Sequence, residues 1–374
     1  MKKIVVIGVI WLIWMCSFSV MAAEPVKIAA IFAKTGIAAT PNAPHIQLVE
    51  LAVEEINNQG GLLGRPIELI IIDNKSSPVG SSIAAKKAVQ LQVPAVIGAA
   101  WSSHSLQVAP ILQQAGIPMI SPSSTNPKVT RIGDFIFRVC FIDSSQGKAM
   151  ARFAYNELGA RTAIALKIIN EEYSLTLAEF FVNSFQQYGG KVLFEGNYTT
   201  KAVDFKDILK EVEMLKPDVV FVPGYSRDSG LLIKQAVSMG IKTIFLGGDG
   251  FNQIHNYGGD AVEGSFYSTH WHPDVRSEKS VHLQNIYKQK YKKKLTNMNS
   301  PLAYDAVMVL ADATRRAGSL DPAKIRDALD QTKGFQGATG NIAFDEHGDP
   351  QNKEVIIMKL GKKDQVYFKT IKPD

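Results

Sequence analysis

Four hydroxyl side chains lie in loops where two predicted strands end, in the first half of the chain. They are Ser102, Ser103, Ser123 and Thr125. Ser102 and Ser103 stand where a helix is predicted to begin, so unpaired backbone N–H groups and the helix dipole would attract an anion there. The loops therefore predict a site for a carboxylate. The plainer alternative is that these serines cap a helix or form ordinary turns.

A lone acid occupies a comparable loop in the second half of the chain. Asp249 sits in a Gly-Gly-Asp-Gly turn, where the flanking glycines let the backbone approach a ligand closely. Tyr225 lies in another loop of this half and can donate or accept a hydrogen bond. A carboxylate there would pair with an ammonium group, so the two sets of loops together predict a small zwitterion as the ligand.

Motifs typical of enzymes are absent from the sequence. It has no G-x-S-x-G nucleophile elbow, phosphate-binding loop, dinucleotide fingerprint or H-E-x-x-H zinc motif. His104 beside Ser102 and Ser103 keeps a hydrolase open as a rival, but no orienting acid is evident. His270 and His272 could face the same way on a strand, yet nothing nearby completes a metal site. We therefore expect no catalysis, no metal and no cofactor.

Strand and helix patterns alternate in two rounds, and this places the polar loops. Short apolar runs between helical stretches predict parallel sheets buried on both faces, in an α/β architecture. Strands are expected at 26–32, 67–72, 95–97 and 118–120, and again at 162–169, 191–194, 219–222 and 243–246. The first long helix is expected to begin at Gln47, and a C-terminal hairpin is expected around residues 361–364.

A repeated module relates the two halves. VPAVIGAAWSSHSLQVAPILQQAGIPMISPSST and KPDVVFVPGYSRDSGLLIKQAVSMGIKTIFLGGDG share a proline, a strand, a loop, a helix, Gly-Ile and a second strand. Ligands of parallel sheets bind outside the carboxyl ends of the strands. The loops at 99–105, 121–126, 224–228 and 247–252 would then line one cleft if the halves face each other. The alternative is that the two modules look alike only because this motif is common.

The N-terminus and composition indicate a secreted globular protein. Residues 1–23 read as a signal peptide, with Lys2 and Lys3 before an apolar core and a cleavage site after Ala22 or Ala23. An uncleaved membrane anchor is the rival. Removal would leave Cys140 as the single cysteine, so no internal disulfide can form. The 374 residues have a formal net charge of +6 with acidic and basic residues interleaved, which argues against a nucleic-acid partner.

Eight stretches, in order along the chain, resemble the type I periplasmic solute-binding proteins of ABC importers, within the leucine/isoleucine/valine-binding family. They are LAVEEINNQGGLLGRPIELIIID, VPAVIGAAWSS, AGIPMISPSSTNP, FIFRVCFIDSSQG, KPDVVFVPGYSRDSG, GIKTIFLGGDG, YDAVMVLADA and FDEHGD. The resemblance implies two lobes of parallel sheets flanked by helices, joined by three crossover strands. Lobe one would comprise residues 24–142 and 273–343, and lobe two residues 143–272 and 344–374.

The resemblance also implies roles for individual residues. Ser102, Thr125 and the backbone at Ser123 would bind an amino-acid carboxylate, while Tyr225 and Asp249 would bind its ammonium group. Tyr173 falls near an aromatic position of the family's pocket. Ser76 and Trp101 replace a family disulfide, and Trp101 beside Ser102 would reshape the pocket.

The function that the resemblance implies is capture of a small amino acid, with a branched-chain or other aliphatic side chain, in the periplasm. A membrane permease and its ATPase subunits would be the protein partners, and we expect a monomer. The alternatives are another small carboxylate, aromatic acid or amide as the ligand, or a ligand-sensing receptor that signals instead of importing.

Overall fold

A computed structural model describes residues 24–372 of the chain, so the predicted signal peptide at 1–23 lies outside the described residues. These residues build two large β-sheets, each flanked by helices, and a small two-stranded sheet. No helix in the described part of the chain is long and apolar enough to cross a membrane.

The first large sheet consists of five parallel strands. Their apolar residues are buried, apart from Leu69, Ile70 and Ile71 of the edge strand β2, as expected for strands covered by helices on both faces. The spatial order is β2-β1-β3-β4-β5. The elements are β1 (Val26–Phe32), α1 (Ala39–Asn58), β2 (Ile67–Asp73), α2 (Pro78–Gln90), β3 (Val96–Gly98), α3 (Ser102–Ala115), β4 (Met119–Ser121) and β5 (Ile136–Arg138).

The second large sheet has seven strands in the order β14-β13-β10-β9-β8-β6-β7. Five strands run parallel, while β13 and β14 form an antiparallel hairpin that pairs with β10. The elements are α4 (Asp143–Arg152), β6 (Thr162–Ile168), α5 (Glu172–Gln187), β7 (Lys191–Tyr198), α6 (Lys206–Leu215), β8 (Val219–Phe221), α7 (Ser226–Ser238), β9 (Ile244–Gly247), α8 (His255–Gly258), β10 (Phe266–Thr269), β13 (Val355–Leu360) and β14 (Gln365–Ile371).

The chain returns to the first sheet between β10 and β13. The core that covers the first sheet includes Leu283, Leu302, Leu310 and Leu329, which belong to this returning segment. Its elements are α9 (Glu278–Tyr291), α10 (Pro301–Ala317), α11 (Pro322–Asp330), β11 (Lys333–Gly337) and β12 (Gly340–Ala343). The described chain therefore crosses between the two halves after β5, after β10 and after β12.

The structure confirms the predicted α/β architecture and corrects several element boundaries. Helix α1 begins at Ala39, eight residues before the expected start, and contains Pro44. Pro41 lies in the first turn, where the N–H groups lack helical partners anyway, whereas Pro44 lies inside the helix. Two prolines so close together are typical of a loop, and they obscured the start of the helix. β10 ends at Thr269, so His270 and Trp271 are not strand residues.

The predicted site loops follow the carboxyl ends of β3, β4, β8 and β9. Two glycines allow the backbone to pack closely there. Gly98 ends β3 with a φ of +118°, and a Cβ atom on it would lie 2.3 Å from the Ile31 carbonyl oxygen. A Cβ atom on Gly250 would lie 2.3 Å from the Gly224 carbonyl oxygen. Larger residues would push these loops out of position.

Candidate functional site

The loops from both halves enclose one cavity of about 510 Å³, measured with its open mouth. The cavity is lined by Pro41, Asn42, His45, Ala100, Trp101, Ser102, Ser123, Tyr173, Tyr225, Ser226, Asp249, Gly250, Asn252 and Asn299. The lining thus includes six of the eight predicted site residues, drawn from both halves of the fold.

Hydroxyl groups form part of the wall on the side of the first sheet. Ser102 is the first residue of α3, and its Oγ accepts a hydrogen bond from the Asn126 N–H at 3.2 Å. Ser123 Oγ donates to the Ala100 carbonyl at 3.1 Å. Because Ser102 begins a helix, unpaired N–H groups and a hydroxyl lie together at this wall, as a carboxylate site requires.

Two predicted residues do not line the cavity. Ser103 and Thr125 are buried, and neither hydroxyl oxygen has a hydrogen-bond partner of normal geometry among the described residues. Burial raises the pKa of Asp143, and the Thr125 hydroxyl opposes that rise. A ligand-binding role for Ser103 and Thr125 stays a prediction.

Asp249 is held on the opposite wall with one oxygen free. Its N–H donates to Gln146 Oε1 at 2.7 Å, which fixes the backbone of the turn. One carboxylate oxygen, Oδ2, lies 3.2 Å from His270 Nε2, while Oδ1 is buried without a hydrogen-bond partner in the described chain. A buried carboxylate oxygen without a donor is costly, so this position favours a ligand that brings a donor.

The groups around Asp249 do not neutralise it with a fixed positive charge. Burial lowers the pKa of His270, with its hydrogen bond to Asp249 acting in the opposite direction. Burial also lowers the pKa of His45, on the cavity wall, to about 4. Both imidazoles are therefore neutral near pH 7. No lysine or arginine is among the described residues that line the cavity, so a ligand ammonium would be the counter-ion.

Aromatic rings from both halves meet at the cavity. The Trp101 ring stacks on Tyr225, with centroids 3.8 Å apart and planes inclined by 7°. Tyr225 also stacks on Tyr173 at 5.3 Å, and the Tyr173 hydroxyl accepts a hydrogen bond from the Gly250 N–H at 3.1 Å. The Tyr225 hydroxyl is buried and has no partner within residues 24–372, so it remains available to a ligand.

Further polar contacts join the two halves beside the aromatic rings. Asn126, after β4, donates to the Glu172 carbonyl at 3.0 Å and to Thr176 Oγ1 at 2.7 Å, both on α5. Lys128 forms an ion pair with the Glu172 side chain at 3.1 Å. These contacts require the halves to be close together, so the described conformation is closed.

Sequence reasoning did not single out five polar residues of the cavity, namely Asn42, His45, Ser226, Asn252 and Asn299. Asn42 and His45 precede the predicted helix start at Gln47, but in the structure they are three residues apart on α1. On a helix, this spacing places two side chains on one face. It was the one signal in the sequence that could have indicated these two residues as a pair. Asn299 precedes α10 and donates to the Asp249 carbonyl at 3.0 Å, a contact between distant segments.

The histidines do not assemble the alternative sites. β10 ends before His270, which faces Asp249, whereas His272 Nδ1 lies 3.4 Å from Asp274 Oδ2, so the two histidines do not share one face of a strand. Across residues 24–372, no group of three or more His, Cys, Asp or Glu side chains is placed to hold a metal. His104 Nδ1 lies 3.2 Å from Asn74 Nδ2, and His104 stacks on Trp101.

Two α/β halves that close over a shared polar cavity define a two-lobe binding protein. The sequence profile described as periplasmic binding protein matches residues 25–365. The chain therefore belongs to the periplasmic binding protein family, in the type I group that includes the leucine/isoleucine/valine-binding proteins.

Individual relatives agree with this assignment. The leucine-, isoleucine-, valine-, threonine- and alanine-binding protein of Pseudomonas aeruginosa is 31% identical over 347 residues, which cover 91% of each chain. A crystal structure of a leucine-binding protein from Thermotoga maritima has a TM-score of 0.88 and 36% identity, covering 93% of this chain and 99% of that one.

A second solved structure holds a ligand. It is the branched-chain amino acid transporter substrate-binding protein of Streptococcus pneumoniae in complex with isoleucine. Its TM-score is 0.87 and its identity is 28%, covering 94% of this chain and all of that one.

Proposed function

We propose that this protein is the extracytoplasmic solute-binding subunit of an ABC importer, and that it captures a small amino acid in the cavity between its lobes. Relatives named for leucine, isoleucine and valine support a branched-chain or other aliphatic amino acid as the ligand class. In this proposal, residues 24–142 and 273–343 form lobe one, and residues 143–272 and 344–374 form lobe two.

The two charges of the amino acid would be bound by different lobes. Lobe one would hold the carboxylate through Ser102, Thr125 and the Ser123 backbone, with Ser103 beside them. Lobe two would hold the ammonium through Asp249 and Tyr225. The observation that carries this assignment is the buried, unpaired Asp249 Oδ1 in the same cavity as the N-terminus of α3.

Closure follows from this division. A ligand that contacts both lobes binds the closed state more tightly than the open state, so it shifts the population towards closure. Trp101, Tyr225 and Tyr173 would then cover the ligand. A membrane permease with cytoplasmic ATPase subunits would receive the amino acid from the closed protein, which we expect to act as a monomer in the periplasm.

The experiment is a thermal-shift and calorimetry screen on the mature chain. We expect L-valine, L-leucine and L-isoleucine to raise the melting temperature, since a ligand at 100 times its dissociation constant adds about 2.7 kcal/mol of stability. Matched controls are 3-methylbutanoate and isobutylamine, which each retain one charge of valine. Both should bind at least about tenfold more weakly.

Two results would contradict the proposal. One is equal binding of L-valine and 3-methylbutanoate, which would show that the ammonium contributes nothing. The other is chemical conversion of a bound amino acid during incubation, since a binding subunit releases its ligand unchanged.

A further inference from the structure

Two asparagine side chains of the cavity are not used by the proposed charge contacts. Asn42 lies on α1 in the first half, and Asn252 follows β9 in the second. Both line the cavity and are 1% and 9% exposed, respectively. They therefore approach the ligand space from opposite walls, in addition to the residues assigned to the carboxylate and the ammonium.

The orientation of each amide is fixed by a backbone N–H. Asn42 Oδ1 accepts from the Ala33 N–H at 3.2 Å, and Asn252 Oδ1 accepts from the Met298 N–H at 3.2 Å. An N–H donor requires the oxygen at that position, so each NH₂ group is on the other side of its amide. Neither NH₂ group donates to any residue in the described range, which leaves two hydrogen-bond donors for the cavity's contents.

The rest of the wall has few aliphatic residues, and its apolar surface comes mainly from the rings of Trp101, Tyr173 and Tyr225. Among the described residues that line the cavity there is no Leu, Ile, Val, Met or Phe, and the aliphatic lining is limited to Pro41 and Ala100. His45 is neutral because burial lowers its pKa to about 4, and its Nε2 lies 3.4 Å from Ser123 Oγ. With no lysine or arginine on the wall, a negatively charged side chain would have no counter-ion.

We propose that Asn42 and Asn252 select an amino acid whose side chain carries an uncharged hydrogen-bond acceptor, in preference to an aliphatic side chain of the same shape. This inference rests on the proposed function, because it takes an amino acid as the ligand, but it assigns a polar side chain in place of the aliphatic class that the relatives' names support. Burying a donor against a methyl group leaves the donor unpaired, so a site built for a hydroxyl or an amide rejects the apolar isostere.

The test uses pairs of ligands with matched shape on the unmodified protein. Threonine and valine differ by a hydroxyl in place of a methyl group, and asparagine and leucine differ by an amide in place of a branched methyl pair. We expect the polar member of at least one pair to bind at least about tenfold more tightly, as expected for one added neutral hydrogen bond.

Asn42→Ala and Asn252→Ala provide the residue-level test. Each variant should reduce the polar-to-apolar affinity ratio of the preferred pair at least about threefold, while the apolar member keeps its affinity within about twofold. The ratio is measured within one variant, so a general loss of stability cancels. Equal weakening of both ligands would instead indicate that the Asn42 and Asn252 side chains bind the carboxylate that all amino acids share. That result would overturn the inference.

The unmodified protein also tests the inference without any variant. A preference below tenfold in both pairs, or a preference for the apolar members, would overturn it while leaving the proposed function intact. Failure of all four amino acids to bind would refute the proposed function itself, together with the selection inferred from it.

Discussion

Trp101 and Tyr225 occupy the same position in the two halves of the fold, and they meet face to face. Each is the residue immediately before a helix, α3 or α7, that follows a buried strand of its sheet. Their ring centroids are 3.8 Å apart. Positions related by the repeated module thus come into direct contact across the cavity, and the contact belongs to the closed conformation.

Replacing Trp101 with alanine should favour the open conformation. An aromatic pair contributes about 0.5–1.5 kcal/mol beyond its buried area, so the closed population and the ligand affinity should each fall at least about threefold. Small-angle scattering of the ligand-free protein should show a larger radius of gyration for Trp101→Ala. Trp101→Phe is the control because it keeps a ring; an unchanged radius in the alanine variant would contradict a role for the stack in closure.

Asp249→Asn should weaken amino-acid binding by tens-fold or more. The substitution keeps the size of the side chain but removes the charge that pairs with the ligand ammonium, and losing one partner of a buried charge pair costs about 2–5 kcal/mol. Isothermal calorimetry measures the effect. Asp312→Asn changes an exposed acid that pairs with Arg316, and it should leave the affinity unchanged. Equal affinities for the two variants would refute the assignment of Asp249.

Glu171 should make ligand binding depend on pH. Burial raises its pKa from 4.5 to about 7, and the Ser103 hydroxyl from the other half of the fold opposes part of the rise. If the pKa of a carboxyl rises on closure, the protonated carboxyl stabilises the closed form at low pH. This stabilisation of the closed form is lost as pH rises from about 4.5 to about 7. Affinity of the unmodified protein should therefore fall across this window and level off above it.

The matched variant for this effect is Glu171→Gln, which stays uncharged at every pH. Calorimetry between about pH 5 and about pH 8 should show a smaller fall in affinity for this variant. Burial also lowers the pKa values of His45 and His104 to about 4, but both histidines are present in both proteins and their effect cancels in the comparison. Parallel pH profiles would exclude Glu171 as the titrating group.

Arg138→Met should destabilise the fold severely. Arg138 Nε forms a 2.6 Å ion pair with Asp349 Oδ1, with side chains 0% and 5% exposed, and its Nη2 donates to Thr130 Oγ1 at 2.7 Å. Removing one partner of such a buried pair costs about 3–5 kcal/mol, because the remaining charge has no counter-ion. Urea unfolding should show the loss, and the double variant Arg138→Met/Asp349→Leu should recover part of it. If the double variant is less stable than Arg138→Met, the unpaired Asp349 carboxylate is not the cause of the destabilisation.

The sequence alone predicted most of the strands, because buried parallel strands are short apolar runs, but it did not indicate β5, β11 or β12. The start of β1 at Val26 and the hairpin of β13 and β14 match the expected ranges closely. The repeated module also predicted that Ser102 and Asp249 lie in one cleft. In the structure both residues line the same cavity, on opposite walls. Local patterns sufficed for the strands, and the rule that ligands bind outside the carboxyl ends of parallel strands sufficed to join the two loops.

Features that depend on distant segments were not accessible in this way. His270 was considered only with His272, yet it contacts Asp249, which is 21 residues away in the chain. Asn252 is oriented by the Met298 N–H, from a segment that returns to the other sheet before reaching the cavity. No periodicity in the sequence indicates such contacts between distant residues. The side-chain contacts that shape the pocket could therefore be identified only in the three-dimensional structure.

The order of strands in the second sheet has a consequence for biosynthesis. β13 pairs with β10, and β14 completes the edge beyond β13, although both are translated after α9, α10 and α11 of the other half. A nascent chain that has emerged only as far as β12 lacks two of the seven strands. Completion of this half must therefore wait until translation is almost finished.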